Sequence, residues 1–262
     1  MARYDFQAPR LFVEARLAAG GRVGLSRDQL TYLAAVLRLG AGADVLVFNG
    51  RDGEWRARLQ LEGRKSGALS IGTQTRPQEA AADLHLLFAP LKHARLDYMA
   101  QKAVEMGASR LAPVLTRRTQ VARVNLERLR ANAIEAAEQC GVLAVPEIAP
   151  EAPLAAALAG LAPDRLLIFC DEDAPVADAV AALDSAGPRG RPLALLIGPE
   201  GGFDPAERAA LLARAPALRL SLGPRILRAD TAAVAALALV QARLGDWTAT
   251  EKAGANLCDG VH

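Results

Sequence analysis

Apolar positions change their rhythm partway along this 262-residue chain. Up to residue 76 they come in short apolar or alternating runs. Residues 10–13, 43–48, 55–61 and 69–73 read as strands. After the first run, Leu30, Leu33, Ala34 and Leu37 fall at i, i+3, i+4 and i+7, and Ser26 stands in the capping position, which predicts a helix ending at Leu37. Asn49-Gly50 and Asp52-Gly53 are turn dipeptides. Short strands joined by Gly-rich turns in so few residues predict a small β-barrel. Residues 73–83 are polar and read as a linker. Beyond it, strands at 84–89, 111–115, 165–170, 193–197 and 218–222 alternate with helices at 94–106, 125–140, 174–183 and 204–213. That alternation predicts an α/β fold, a mainly parallel sheet covered on both faces. A last helix, 229–244, is apolar without a break over 232–240, which predicts burial on all sides, as at a subunit interface. Residues 248–262 read as a frayed tail. Three segments result: 1–76, 77–247 and 248–262.

Composition adds one asymmetry. Net charge is +2 overall, but residues 1–76 hold 12 Lys/Arg against 7 Asp/Glu, while the remainder holds 19 against 22. A small basic unit joined to a mildly acidic one fits a polyanion-gripping module attached to a second module. Arg10, Arg38, Arg51, Arg56, Arg58 and Arg64 are its candidate phosphate contacts. Cys140, Cys170 and Cys258 are odd in number and far apart, so a disulfide framework is not expected; Cys140 and Cys170 read as core residues. They form no metal-ligand spacing with His85, His93 and His262, and no metal is expected. No apolar run approaches the ~18 residues a membrane helix needs. The first residues lack the apolar core of a signal peptide. A cytoplasmic location follows as an expectation.

The candidate chemistry sits in two strand-to-loop breaks. Leu195 to Phe203 reads Leu-Leu-Ile-Gly-Pro-Glu-Gly-Gly-Phe, and Leu220 to Ala232 reads Leu-Ser-Leu-Gly-Pro-Arg-Ile-Leu-Arg-Ala-Asp-Thr-Ala. Each is a short strand broken at Gly-Pro, and a helix lies between them. The pattern predicts neighbouring loops at one sheet edge, where open α/β folds bind ligands. Neither matches the G-x-G-x-x-G dinucleotide fingerprint, and no phosphate loop ending in Gly-Lys-Ser/Thr is present. A nicotinamide dehydrogenase is disfavoured on that ground.

The two motifs together resemble the signature of SPOUT-class RNA methyltransferases, and most resemble the RsmE family of 16S rRNA (uracil-N3)-methyltransferases. Other segments resemble the same family: residues 10–13 (RLFV), 36–39 (VLRL), 48–50 (FNG), Gln101-Lys102-Ala103 with Glu105 and Gly107, and Glu138-Gln139 with Val145-Pro146. Tyr32, Val142 and Asp230 depart from its pattern, which has His, Arg and Glu there. The resemblance implies a PUA-like N-terminal barrel, a C-terminal domain with a deep trefoil knot, and a homodimer. It implies methyl transfer from S-adenosylmethionine to N3 of the decoding-region uridine 1498 of 16S rRNA in the assembled small (30S) subunit. The cofactor is then expected against Leu196, Ile197, Gly198, Glu200, Gly201, Leu220, Leu222, Gly223, Ile226, Leu227, Arg228 and Thr231. Arg10, Arg38, Lys92, Arg117 and Arg118 are the expected RNA contacts. N3 attacks directly once deprotonated, so no nucleophilic cysteine is needed. Arg228 is the first candidate to stabilise the developing negative oxygen. Glu200, Glu138 and Asp230 are the carboxylates available to take the proton or to orient that arginine, and Asp230 also suits a capping role. Two rival readings are ribose 2′-O-methylation and an RNA-binding protein without catalysis. The glycines of both loops and Arg228, all intact, disfavour the second.

Overall fold

A computed structural model describes residues 8–63, 66–121, 123–175 and 178–247. The tail 248–262, with Cys258 and His262, and the pair Arg64 and Lys65 lie outside the described residues.

The N-terminal unit is a five-stranded sheet built from β1 (Arg10–Phe12), β2 (Arg22–Gly24), β3 (Asp44–Phe48), β4 (Glu54–Leu61) and β5 (Gly67–Arg76). Their order is β1-β3-β4-β5-β2. The pairing of β1 with β3 is parallel and the rest are antiparallel. The sheet curls over Leu11, Val23, Leu33, Val45, Val47, Leu59, Leu69 and Ile71. β5 runs three residues beyond its expected end at 73. Register shifts opposite Glu54, Trp55 and Ala57 let the ladder continue to Arg76. The helix expected to end at Leu37 divides in two. α1 (Arg27–Thr31) starts from a capping box of Ser26 and Gln29. The next turn, Tyr32–Val36, is wide: the Leu37 amide donates to the Tyr32 carbonyl, five residues back.

The second unit runs β6 (Leu84–Phe88), α2 (His93–Glu105), β7 (Arg110–Leu115), α3 (Leu126–Cys140), β8 (Glu147–Ile148), β9 (Ala152–Pro153), α4 (Leu154–Ala159), β10 (Leu166–Cys170), α5 (Ala179–Asp184), β11 (Leu193–Ile197), α6 (Pro205–Ala213), β12 (Ala217–Leu220) and α7 (Ala229–Arg243). The strands order as β12-β10-β11-β6-β7-β8, with β9 beside β7, and every pairing is parallel. Alternate residues of the central strands feed two cores. Leu86, Phe88, Ile168, Leu195 and Ile197 pack against α2 and α7. Leu87, Leu167, Phe169, Ala194 and Leu196 pack with Phe203 and Leu211 on the other face. This two-sided burial is why the strands read as unbroken apolar runs.

Two expectations are corrected here, and the one for α7 is met on one face by this chain alone. α5 begins at Ala179, not 174, because Asp178 caps it by accepting from the Val180 and Ala181 amides. Within one chain α7 is buried on one side: Ala229, Ala233, Ala236, Leu237 and Val240 are buried against the sheet, α2 and α5, while Val234, Ala235, Ala238 and Leu239 stay half-exposed. One chain supplies neighbours on one side of this helix only. Cys140 is exposed in the last turn of α3 rather than in the core. Cys170 does pack against the core, and burial, with Asp171 adjacent, pushes its thiol up to about 12.

The two units join at α3. Phe48 packs with Val104, Ala133, Ala136, Ala137 and Leu143. Arg10 lies over the Phe48 ring, 4.4 Å from its centroid. Its guanidinium donates to Glu54 at 2.8 Å and to the carbonyls of Ala137, Glu138 and Val142. Arg76 reaches the same Glu54 at 2.7 Å and the Gly141 carbonyl at 3.0 Å.

Candidate functional site

The C-terminal ends of β10, β11 and β12 lie side by side, and the residues following them wall a cleft of ≈490 Å³. This is the edge at which parallel α/β sheets take ligands. Residues 198–200, 202 and 203 form one wall and residues 221–228 another. Ile197, Gly198, Glu200, Leu220, Leu222, Gly223, Ile226, Leu227 and Arg228 all line it, as the two motifs predict. Leu196, Gly201 and Thr231 do not. Leu196 points to the opposite face of the sheet, as strand alternation requires. The Gly201 carbonyl accepts from Arg118 at 2.5 Å. Thr231 is exposed on the first turn of α7.

The glycines shape this cleft. A Cβ on Gly198 would sit 2.8 Å from the Phe203 ring. Gly202 has φ +69°, and a Cβ there would collide with the Glu172 carboxylate. The amides of Gly223, Arg225, Ile226 and Leu227 have no protein partner among the described residues. Ile226 is 93% exposed. Unsatisfied peptide groups beside apolar side chains form a surface suited to a flat heterocycle with polar edges.

A third wall, Cys170, Asp171 and Glu172, is absent from the motif reading. Its signal was present: the predicted strand 165–170 ends at the same sheet edge and runs into an acidic stretch. The Asp171 side chain is 1% exposed, bonded to Arg208 at 3.0 Å and to Arg219 at 2.8 Å. Arg208 also pairs with Asp173 at 2.5 Å. This network pins the residues after β10 to α6 and β12.

Arg95 on α2 was missed as well. It donates to both oxygens of Asp230 and to Glu200. Its hydrogen bonds hold the Asp230 carboxyl below the usual carboxylate range, and the two carboxylates raise the arginine's own pKa. Arg95 thus ties the GPEGG loop to the start of α7. Arg228, the capping residue of α7, is exposed beside it.

Of the other predicted residues, Arg117 and Arg118 follow β7 and flank the same loop. The Arg117 amide donates to Glu207, and its side chain is 70% exposed, 3.8 Å from Asp204. Lys92 is exposed at the start of α2 and Arg38 is exposed on the N-terminal unit. Arg10 and Glu138 need correction. Arg10 is 9% exposed and spent on the seam between the units, which leaves no free guanidinium for RNA. Glu138 lies at that seam too, where it accepts from the Phe12 amide at 2.8 Å, and it is no part of the cleft. Burial raises its pKa.

Comparison with known proteins agrees with this geometry. Residues 78–241 match the RNA methyltransferase domain model and residues 25–71 the RNA methyltransferase PUA domain model. Ribosomal RNA small subunit methyltransferase E of Rickettsia conorii is 30% identical over 233 residues, covering 88% of this chain and 94% of that protein. The protein of the same name from Synechocystis is 31% identical, covering 90% and 78%. Among solved structures, a Legionella pneumophila methyltransferase in complex with SAM superposes with a TM-score of 0.81 at 28% identity, covering 90% of this chain and 98% of that one. Ribosomal RNA small subunit methyltransferase E of Neisseria gonorrhoeae, bound to S-adenosyl methionine, gives 0.77 at 26% identity, covering 92% and 100%. With both units matched in order and its length covered almost throughout, the chain belongs to the ribosomal RNA small subunit methyltransferase E family.

Proposed function

We propose that this chain is a S-adenosylmethionine-dependent methyltransferase that modifies N3 of uridine 1498 of 16S rRNA in the assembled 30S subunit. It acts in the cytoplasm as a homodimer whose α7 helices cover each other's half-exposed faces, and its C-terminal domain carries the trefoil knot. The observation that carries the reading is the cleft itself, in which both motifs meet at three adjacent strand ends with Arg228 and Glu200 on its lining.

The residues fit the cofactor. Ile197, Leu220, Leu222 and Leu227 offer apolar walls, and the unsatisfied amides of Gly223, Arg225, Ile226 and Leu227 offer donors to the edge of an adenine. When bound, the cofactor supplies an activated methyl group with its own leaving group. The chain has to align the uracil and manage one proton. Arg228 places a cation where negative charge develops on the uracil oxygen. Asp230 is occupied on both oxygens by Arg95, so it serves as a strut rather than a base. Glu200 gives Arg95 one oxygen only; the other has no protein partner among the described residues and is available to accept the N3 proton.

The test is transfer from labelled S-adenosylmethionine to purified 30S subunits, deproteinised 16S rRNA and tRNA, with the modified nucleoside identified by mass spectrometry. 3-Methyluridine on 30S subunits alone is expected. A 2′-O-methyl product would overturn the chemistry, and transfer to tRNA would overturn the substrate.

A further inference from the structure

A second pocket of ≈250 Å³ opens at the seam between the N-terminal sheet and α3, and it shares no residue with the cleft. Pro9, Leu37 and Leu46 give it apolar walls, Tyr32 an aromatic one, and Glu138 and Gln139 a polar edge. Arg10 and Glu54, which also line it, satisfy each other. The remaining polar groups are less fully used. Among the described residues, Glu138 accepts from the Phe12 amide through one oxygen and has no protein partner on the other, and the Tyr32 hydroxyl and the Gln139 amide oxygen have no protein partner. Burial raises the pKa of Glu138 and of Tyr32, and the charge of the Glu138 carboxylate adds to the shift of the phenol.

The backbone around this pocket is unusual. Tyr32 opens the wide turn Tyr32–Val36, a rare form that is frequent at functional sites. Arg38, one residue past Leu37, has φ +56° and is the only non-glycine with positive φ among the described residues. Tyr32, Val36 and Leu37 are 39%, 64% and 36% exposed. An aromatic ring, an apolar floor and mixed donors and acceptors therefore share one small concavity, and an exposed cation, Arg38, follows its lining residue Leu37 in the chain. Proteins that read unpaired RNA use these parts: a ring for stacking and polar groups for the base edge.

We propose that the seam pocket binds one unpaired nucleobase of the RNA substrate, other than the uracil that reacts in the cleft, with Tyr32 stacking on it, Glu138 and Gln139 bonding its edge and Arg38 meeting the adjoining phosphate. This rests on the RNA methyltransferase reading above. It adds a point of register between the substrate and the domain seam. One wall comes from the region matched by the PUA model and the other from the methyltransferase region, so a base held here fixes RNA against both.

The test uses the full-length protein, its 30S substrate and three variants, Tyr32→Ala, Tyr32→Phe and Gln139→Ala. Tyr32→Ala is expected to raise the KM for 30S subunits roughly tenfold, the size of one lost base–aromatic stack, with affinity for S-adenosylmethionine unchanged by calorimetry. Tyr32→Phe keeps the ring and stays near wild type; Gln139→Ala gives a smaller rise. Irradiation of the complex with 16S rRNA carrying 4-thiouridine is expected to attach RNA to peptides containing Tyr32 or Gln139. A wild-type KM in Tyr32→Ala, or adducts confined to other peptides, overturns the pocket while leaving the methyltransferase reading in place. A wild-type protein that neither binds S-adenosylmethionine nor transfers a methyl group overturns both.

Discussion

Arg95 grips Asp230 through both carboxylate oxygens, Nε to Oδ2 at 3.0 Å and Nη2 to Oδ1 at 2.9 Å, while its remaining nitrogen holds Glu200. Three segments far apart in sequence meet on one guanidinium. An ammonium can carry the charge but cannot reproduce the fork. Arg95→Lys is therefore expected to weaken S-adenosylmethionine binding several-fold and Arg95→Ala by about tenfold or more, the worth of a charge-assisted bidentate pair. The Arg95 side chain is 28% exposed, so the melting temperature should move little. Calorimetry for the cofactor and differential scanning for stability separate the two. A variant that loses stability but binds cofactor normally would contradict the clamp.

Two glycines of the cleft make opposite demands on a methyl group. At Gly198 a Cβ meets the Phe203 ring at 2.8 Å. At Gly223, φ is +96° but nothing lies within 4 Å. Gly223→Ala is therefore expected to cost only the left-handed strain, about 1–2 kcal/mol. Gly198→Ala must displace Phe203 from a core that includes Phe169 and Leu211, and it should abolish measurable cofactor binding. Denaturant unfolding and cofactor titration of both variants check the contrast.

The parts of this site that could be read in the sequence are those fixed by backbone. Gly-Pro breaks after apolar strands announce where a chain turns at a sheet edge, so nine of the residues expected from the motifs do line the cleft. Leu196 failed because a motif read as a block ignores the pleat, which sends every second residue to the other face. Arg95 and Asp171 were missed because their roles depend on partners far away in sequence, and no period or turn signal encodes that. Arg10 misled for the related reason that a basic residue in a basic segment reads as surface until its partners are seen. The half-exposed face of α7 shows what an unbroken apolar run leaves open: it records that burial occurs but not whether the same chain supplies it.

Glu54 is the shared anion of the domain seam, 5% exposed and bonded to Arg10, Arg76 and Thr75. Burial alone raises its pKa, but the hydrogen bonds from Arg76, Arg10 and Thr75 bring it below its ordinary 4.5. Its stabilisation is thus complete above pH 4.5 and is lost as pH falls through the lowered folded value. Glu54→Gln leaves two buried arginines without their counter-charge and is expected to cost about 3 kcal/mol near neutrality. The difference from wild type should shrink in acid below pH 4.5. Urea unfolding at pH 7 and pH 4 measures it. A difference that is the same at both pH values would mean that Glu54 acts through shape rather than charge.

His85 makes a second, separable pH dependence. It lies on β6 with its side chain 18% exposed, Nε2 3.3 Å from Asp83. Its pKa falls from 6.5 to about 4, chiefly through burial and then through the nearby Arg165, and Asp83 only partly offsets them. Between those two values the unfolded chain binds a proton that the folded chain refuses. Stability is therefore full above pH 6.5 and declines as pH falls toward about 4. One proton gives a slope of up to about 1.4 kcal/mol per pH unit. His85→Gln cannot titrate, so its unfolding free energy should stay flatter over this range than that of wild type, while both keep the loss in more acid solution to which Glu54, Asp52, Asp83 and Asp230 contribute. Urea unfolding across pH 4–7, with a wild-type NMR titration of the imidazole, tests it: an imidazole titrating near 6.5 would show that burial leaves His85 free to charge, and the two curves would then run parallel.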